Sequence, residues 1–64
     1  MAYEIGDRLV ALDEIAGLIH SGEEVVVVAI DDGAPVVEVS PTDEQPAGRN
    51  VRLDEVLIDK VRPV

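Results

Sequence analysis

The clearest pattern in the chain is a run of apolar residues, VVVVAI at 25–30, followed by a turn signal and a second apolar stretch. β-Branched side chains favour extended backbone, and the DDG sequence at 31–33 favours a tight reversal. In the stretch that follows, Val37 and Val39 fall on one face because strand side chains alternate. The pattern predicts a β-hairpin over residues 24–40.

Shorter apolar patterns on both sides of this hairpin predict further elements. Residues 8–11 and 51–53 are typical of short strands. After the first of these the period changes, and the apolar residues at 12, 15, 16 and 19 fall on one face of a helix. With Gly22 as the stop signal, the spacing favours a short helix between the first strand and the hairpin, and a loop over residues 12–20 remains open.

The last third of the chain leaves two interpretations open. Residues 41–50, PTDEQPAGRN, are rich in proline and polar side chains and predict an exposed loop. Apolar spacing over 53–61 fits a helix with acids first and bases last. One helical turn followed by a terminal strand over 60–64 fits the same residues.

These elements predict one small domain, 1–64, of mainly β class, with a small α+β fold as the variant. We expect four to five short strands in a curled sheet with one or two helical turns. The predicted core consists of Leu9, Leu12, Ile15, Ile19, Val26, Val28, Ile30, Val37, Val39, Val51, Leu53, Val56, Leu57 and Val61.

A short internal similarity links two parts of the chain. VALDEIA at 10–16 is echoed by VRLDEVL at 51–57. Two copies are weak evidence of a repeat, so equivalent corners after two strands and coincidence both remain open.

Composition adds a strong acidic bias. Fourteen acids against five bases give a formal net charge of −9. Non-specific binding to nucleic acids and binding to anionic membranes both require clustered lysine and arginine residues, so the net negative charge disfavours both kinds of binding. The acidity has three explanations: a solvated surface, adaptation to high salt as in a halophile, or a functional face for a basic partner.

Chain length and the valine run together predict association. A chain of 64 residues buries only about 60% of its unfolded surface. The consecutive valines 25–28 would make a strand apolar on both faces, which needs cover on both. We expect a homo-oligomer or docking on a partner.

Candidate chemistry is sparse. The chain has no cysteine, which excludes disulfides and thiolate ligands. His20 precedes Ser21-Gly22, where capping of the predicted helix explains it better than catalysis or metal binding. Adjacent carboxylates point apart and lack calcium-loop spacing. The sequence predicts no catalytic residue, no metal site, no cofactor and no enzymatic activity.

With the strands placed, the chain resembles the small Src-homology-3-like barrels of bacterial and phage proteins. Ile5 to Leu12, IGDRLVAL, looks like their opening strand, in which a GDxVxAL phrase is common. The resemblance implies a curled β-barrel. Members that bind polyproline use an aromatic cluster, and Tyr3 is the sole aromatic residue here, so proline-ligand recognition is not expected. The remaining parts of the frame would be a loop at 13–22, strands at 24–30, 35–40 and 50–53, a helical turn at 54–58 and a closing strand at 60–64.

The centre of the chain also resembles antitoxins of the prevent-host-death class. In these a helix precedes a GEEVV phrase, matched at 22–26, and a PVxxVxP phrase, matched within 33–41. The resemblance covers about residues 8–41 and implies a dimer that binds a toxin and an operator. This hairpin is about two residues longer than usual, and the basic character for operator binding is missing.

The sequence therefore predicts a non-enzymatic, acidic interaction module that docks on or regulates a larger partner with a basic surface. An apolar strand edge or sheet face would supply contact area while carboxylates steer the partner. The alternatives are the antitoxin-like regulator and a self-assembling phage or structural subunit. The predicted partner-binding residues are Glu23, Glu24, Asp31, Asp32, Asp43 and Glu44.

Location follows from the absence of targeting signals. The opening MAYE is neither basic nor followed by an apolar run. No stretch approaches the roughly 20 apolar residues of a membrane span. We expect a cytoplasmic protein that makes no membrane contact.

Overall fold

The computed structural model describes residues 3–39 and 49–64. Five antiparallel strands form one sheet in the order β4-β3-β2-β1-β5. The first four are consecutive neighbours, and the last returns to pair with the first. This confirms the predicted mainly β class. The elements are β1 Arg8–Ala11, β2 Glu24–Asp31, β3 Ala34–Val39, β4 Arg49–Arg52, a 3₁₀ turn Ile58–Lys60 and β5 Val61–Pro63.

The predicted hairpin is confirmed over β2 and β3. Its two-residue turn is Asp32-Gly33, with φ of 50° and 82°, the positive values that a tight hairpin turn of this kind requires at both central positions. Gly33 adopts this conformation without a steric penalty, and Asp tolerates it better than most side chains. Strand pairing runs from Asp31↔Ala34 to Val25↔Val39.

A β-bulge at Val28 overturns the predicted inward face of β2. Without a bulge, this turn would place Val28 opposite Val37. The register instead shifts between Val27 and Ala29, so that Val27 faces Val37. Val25 and Val27 are consequently buried, whereas Val26 is half-buried and Val28 is 39% exposed.

The predicted helix over 12–19 is wrong. Ile15 and Ile19 form an isolated bridge, in which the Ile15 N–H donates to the Ile19 carbonyl at 2.9 Å. Ala16 and Gly17 between them have φ of 53° and 68°, which a right-handed helix cannot include. Both isoleucines are still fully buried, but Leu12 is 51% exposed.

At the C-terminal end, the interpretation with a turn and a closing strand is confirmed over that with a longer helix. Ile58–Lys60 forms one 3₁₀ turn, and Val61–Pro63 pairs with β1. The predicted loop 41–50 ends too late, since β4 begins at Arg49. Residues 41–48 of that loop, with the predicted site residues Asp43 and Glu44, lie outside the described residues.

The core lies on one face of the sheet and beneath the loop that joins β1 and β2. Three half-buried residues, Tyr3, Leu57 and Ile58, pack against it. Six predicted core members are not among the buried residues: Leu12, Val26, Val28, Ile30, Val56 and Leu57. Its buried hydrophobic members are Leu9, Ala11, Ile15, Ile19, Val25, Val27, Val37, Val39, Val51, Leu53 and Val61.

None of the helical segments within residues 3–39 and 49–64 has the length and apolar character needed to cross a bilayer.

Candidate interaction surface

Glu23, one of the predicted partner-binding acids, is held inside the molecule's own hydrogen-bond network. Its carboxylate accepts the backbone N–H of His20 at 2.6 Å and Nη2 of Arg49 at 2.8 Å. Arg49 also donates to the Leu18 carbonyl. Glu23 and Arg49 therefore fasten the β1–β2 loop to the edge strand β4.

This environment lowers the pKa of Glu23 below its ordinary value near 4.5. The main cause is the backbone N–H of His20, and the hydrogen bond and charge of Arg49 act in the same direction, against the opposing effect of burial. Each of these donors favours the ionised carboxylate.

Glu23→Gln should lower the free energy of unfolding by roughly 1–2 kcal/mol at neutral pH, because it weakens hydrogen bonds between charged groups. A carboxylate with a depressed native pKa stabilises the fold above its unfolded-state pKa, and this stabilisation is lost as pH falls through the native value. The difference between wild type and variant should therefore shrink from pH 7 down through the region below about 4.5.

Urea unfolding of both proteins across this pH range measures the difference. Glu24→Gln is the matched control, since Glu24 and Arg8 are 3.4 Å apart with side chains 51% and 73% exposed, and exposed pairs contribute little. A difference for Glu23→Gln that stays constant down to pH about 3 would contradict the assigned role.

The predicted acids of strand β2 also face arginines. Glu24 pairs with Arg8 of β1, and the Asp31 carboxylate lies 3.2 Å from Nε of Arg52 on β4. The structure does not bring these two acids together, because they lie at opposite ends of β2. Their charges are partly offset within the chain.

Asp32 occupies a different position, at the exposed turn of the hairpin. There it borders a groove between the hairpin turn and the segment from Arg52 to Val61. The apolar part of the groove includes Tyr3, Val56 and Ile58. Its rim includes four carboxylates and one guanidinium: Asp32, Asp54, Glu55, Asp59 and Arg52.

The groove acids other than Asp32 were missed by the sequence prediction. Asp54 shapes the segment, since its carboxylate accepts the backbone N–H groups of Val56 and Leu57 at 2.9 and 3.0 Å. The adjacent Glu55 and the later Asp59 are exposed. The sequence pattern that could have indicated these acids is the second interpretation of residues 53–61, with one helical turn before a terminal strand. In that interpretation the acids lie in an exposed turn and not in the first turn of a packed helix.

His20 does not cap a helix, because no helix forms before it. Its Nδ1 lies 3.6 Å from a carboxylate oxygen of Glu14, and both side chains are more than half exposed. Within residues 3–39 and 49–64, no three His, Cys, Asp or Glu side chains cluster in a way that could hold a metal ion. The groove, with its apolar side chains and its carboxylates, is suited to electrostatic and apolar contact with another molecule.

No family model matches this chain, and no curated protein or solved structure matches it either.

Proposed function

We propose that this protein is a small, non-enzymatic interaction module that docks on a larger partner with a basic surface. The observation that supports this most directly is the groove beside the hairpin turn, which combines apolar side chains with four carboxylates on its rim. Its one basic residue, Arg52, is already paired with Asp31 at 3.2 Å. The groove therefore presents a negative field around apolar contact area.

The two kinds of side chain have separate roles in such docking. Carboxylates attract a basic surface over a distance of about a Debye length and accelerate the encounter. Exposed apolar residues such as Val56, at 74% exposure, supply area that becomes buried on contact. This division of roles fits a module that is steered by charge and held by apolar packing.

The sheet supports, as part of the same proposal, the resemblance to Src-homology-3-like barrels. A meander of four strands whose fifth strand returns to the first, after a 3₁₀ turn, fits the frame that the resemblance implies. Polyproline recognition is not proposed, because Tyr3 is the only aromatic residue of the chain. In this proposal the barrel-like sheet is the scaffold, and the carboxylates recognise the basic surface of the partner.

The antitoxin-like alternative has no specific observation in its favour. That resemblance includes a helix before Gly22, and residues 12–20 form turns instead. The net charge of −9 also opposes operator binding. A gel shift with DNA at low salt would test this alternative directly.

Charge reversal at the groove tests the proposed function. Glu55→Lys combined with Asp59→Lys should abolish capture of basic proteins from a cell extract by the immobilised module, because the rim loses its net negative charge. Glu14→Lys combined with Glu38→Lys changes the net charge equally at other sites and should retain most of the capture. Capture should also weaken as salt rises towards about 1 M, where the Debye length is about 3 Å.

The identities and isoelectric points of the captured proteins complete this measurement. A set of uniformly acidic proteins, or equal capture by both double variants, would contradict docking on a basic surface through the groove.

A further inference from the structure

Strand β2 extends beyond its partner on one side of the sheet. On the β3 side it is paired as far as Asp31, opposite Ala34. On the β1 side the last backbone contacts are those of Val27, which donates to the Asp7 carbonyl at 2.9 Å and accepts the Gly6 N–H at 2.8 Å. Among the residues that the structure describes, 28–31 have no strand beside them on the β1 side. We call residues 28–31 the open edge.

Exposed apolar side chains concentrate at the open edge. Val28 and Ile30 are 39% and 42% exposed, and Ile5, which directly precedes Gly6 beside Val27, is 67% exposed. A strand edge with unpaired backbone groups and apolar side chains is a template for another extended chain. The bulge at Val28 re-aims the strand but leaves Ala29, Ile30 and Asp31 in extended pairing with β3.

The two outer edges of the sheet differ from the open edge in a consistent way. Edge strand β4 contains Arg49 and Arg52, and edge strand β5 contains Arg62 and Pro63. Charged residues and proline are the usual protection of edges against pairing. The open edge has no proline, and its one charged residue, Asp31, is paired with Arg52 of β4.

The charges near the open edge determine which kind of strand would pair with residues 28–31. No lysine or arginine occurs in residues 3–7 or 24–33, whereas Glu4 and Asp7 belong to the segment that reaches Val27 and Asp32 follows the open edge at the hairpin turn. A second copy of this chain would bring another net charge of −9 to the contact, which opposes self-pairing. A cationic chain is therefore favoured at the open edge over a second copy of this acidic chain.

We propose that the open edge binds an extended, lysine- or arginine-containing segment of the partner by adding it as a strand to β2. This inference rests on the proposed function and names the surface and the mode of binding. Backbone hydrogen bonds to residues 28–31 supply affinity, while alternate side chains of the segment contact Val28 and Ile30 or the acids. The contact includes Ile5 at its base and Asp32 at its tip.

The test uses the full chain and an eight-residue peptide of alternating lysine and valine, with blocked ends. Amide chemical shifts should change most within residues 28–31 on titration, because only alternate backbone groups of this stretch bind β3 and the others face the added strand. The same peptide with an N-methyl group on every backbone amide nitrogen has equal charge but lacks the backbone donors on both edges. It should bind at least about tenfold more weakly.

Two substitutions at exposed apolar positions localise the binding. Ile30→Lys adds a positive charge to the open edge and should weaken binding about tenfold. Leu12→Lys makes the same change at a residue that is 51% exposed in the β1–β2 loop and should bind within about twofold of wild type. Urea unfolding of both variants shows whether each remains folded.

Each contrary outcome identifies the part of the proposal that is wrong. Equal binding of the N-methylated peptide would overturn strand addition and leave the proposed function intact. Weaker binding by Val56→Lys with no effect of Ile30→Lys would place the peptide in the groove and overturn the open edge. A wild-type dimer that Ile30→Lys dissociates would assign the edge to a second copy. Failure of both peptides to bind would overturn this inference, while the capture experiment with the charge-reversed variants tests the proposed function separately.

Discussion

Replacement of Leu53 by alanine should destabilise the protein severely, whereas the same change at Leu12 should have little effect. The two leucines occupy matching positions in the similar segments VALDEIA and VRLDEVL. Leu53 is 1% exposed and Leu12 is 51% exposed. Truncation of a buried leucine costs about 2–5 kcal/mol, a large part of the roughly 3–10 kcal/mol expected for a chain of this length.

Urea unfolding followed by circular dichroism measures both variants. Leu12→Ala should stay within about 0.5 kcal/mol of wild type, as for most surface substitutions. Equal and large losses for the two leucines would instead mean that both similar segments pack into the core as equivalent corners, which the structure rules out.

Val27→Asp should leave the chain unfolded at room temperature, while Val28→Asp should fold. Val27 is 1% exposed and lies opposite Val37, so the aspartate would bury an unpaired charge. Such burial costs several kcal/mol, comparable to the whole stability of a small domain. Val28 is the bulged residue and is 39% exposed, which lets a carboxylate reach water.

A folded signature in one-dimensional proton NMR separates the two variants. A folded Val27→Asp protein together with an unfolded Val28→Asp protein would show that the hairpin pairs without the bulge. The experiment therefore tests the register of β2 directly.

The hairpin could be predicted from sequence because its signals are local. β-Branched residues, a DG turn and alternation in β3 all lie within about 16 residues, and each favours the same structure. The bulge could not be predicted, because four consecutive valines look the same in either register. Packing of Val25 and Val27 against the rest of the core selects between the two registers, and that packing is not a property of the local sequence.

In the β1–β2 loop, by contrast, the local pattern predicts the wrong element. Ile15 and Ile19 have helical spacing, and the structure buries both, yet they meet through a tight turn. A helix this short is only marginally stable on its own, and Gly17 weakens it further. Arg49 of β4 donates a hydrogen bond to the Leu18 carbonyl of the loop, 31 residues away in sequence. A contact between such distant residues leaves no signal in the local sequence.

The acidic charge of the candidate surface is visible in the sequence, but its placement is not. Asp32 lines the groove, whereas the Asp31 carboxylate is paired with Arg52. Glu23 and Glu24 face arginines, which only the pairing of distant strands determines. The groove acids Glu55 and Asp59 depend on the choice between helix and turn in the C-terminal segment, which the spacing alone left open.

The position of β5 beside β1 has a consequence for biosynthesis. Translation proceeds from the amino end, so β1, Arg8–Ala11, is made before its partner strand Val61–Pro63. Until those residues leave the ribosome, β1 is a sheet margin with unsatisfied amides and carbonyls, open to pairing with other nascent chains. Strand β5 thus converts β1 from a margin into an interior strand only after the four strands β1 to β4 have all been made.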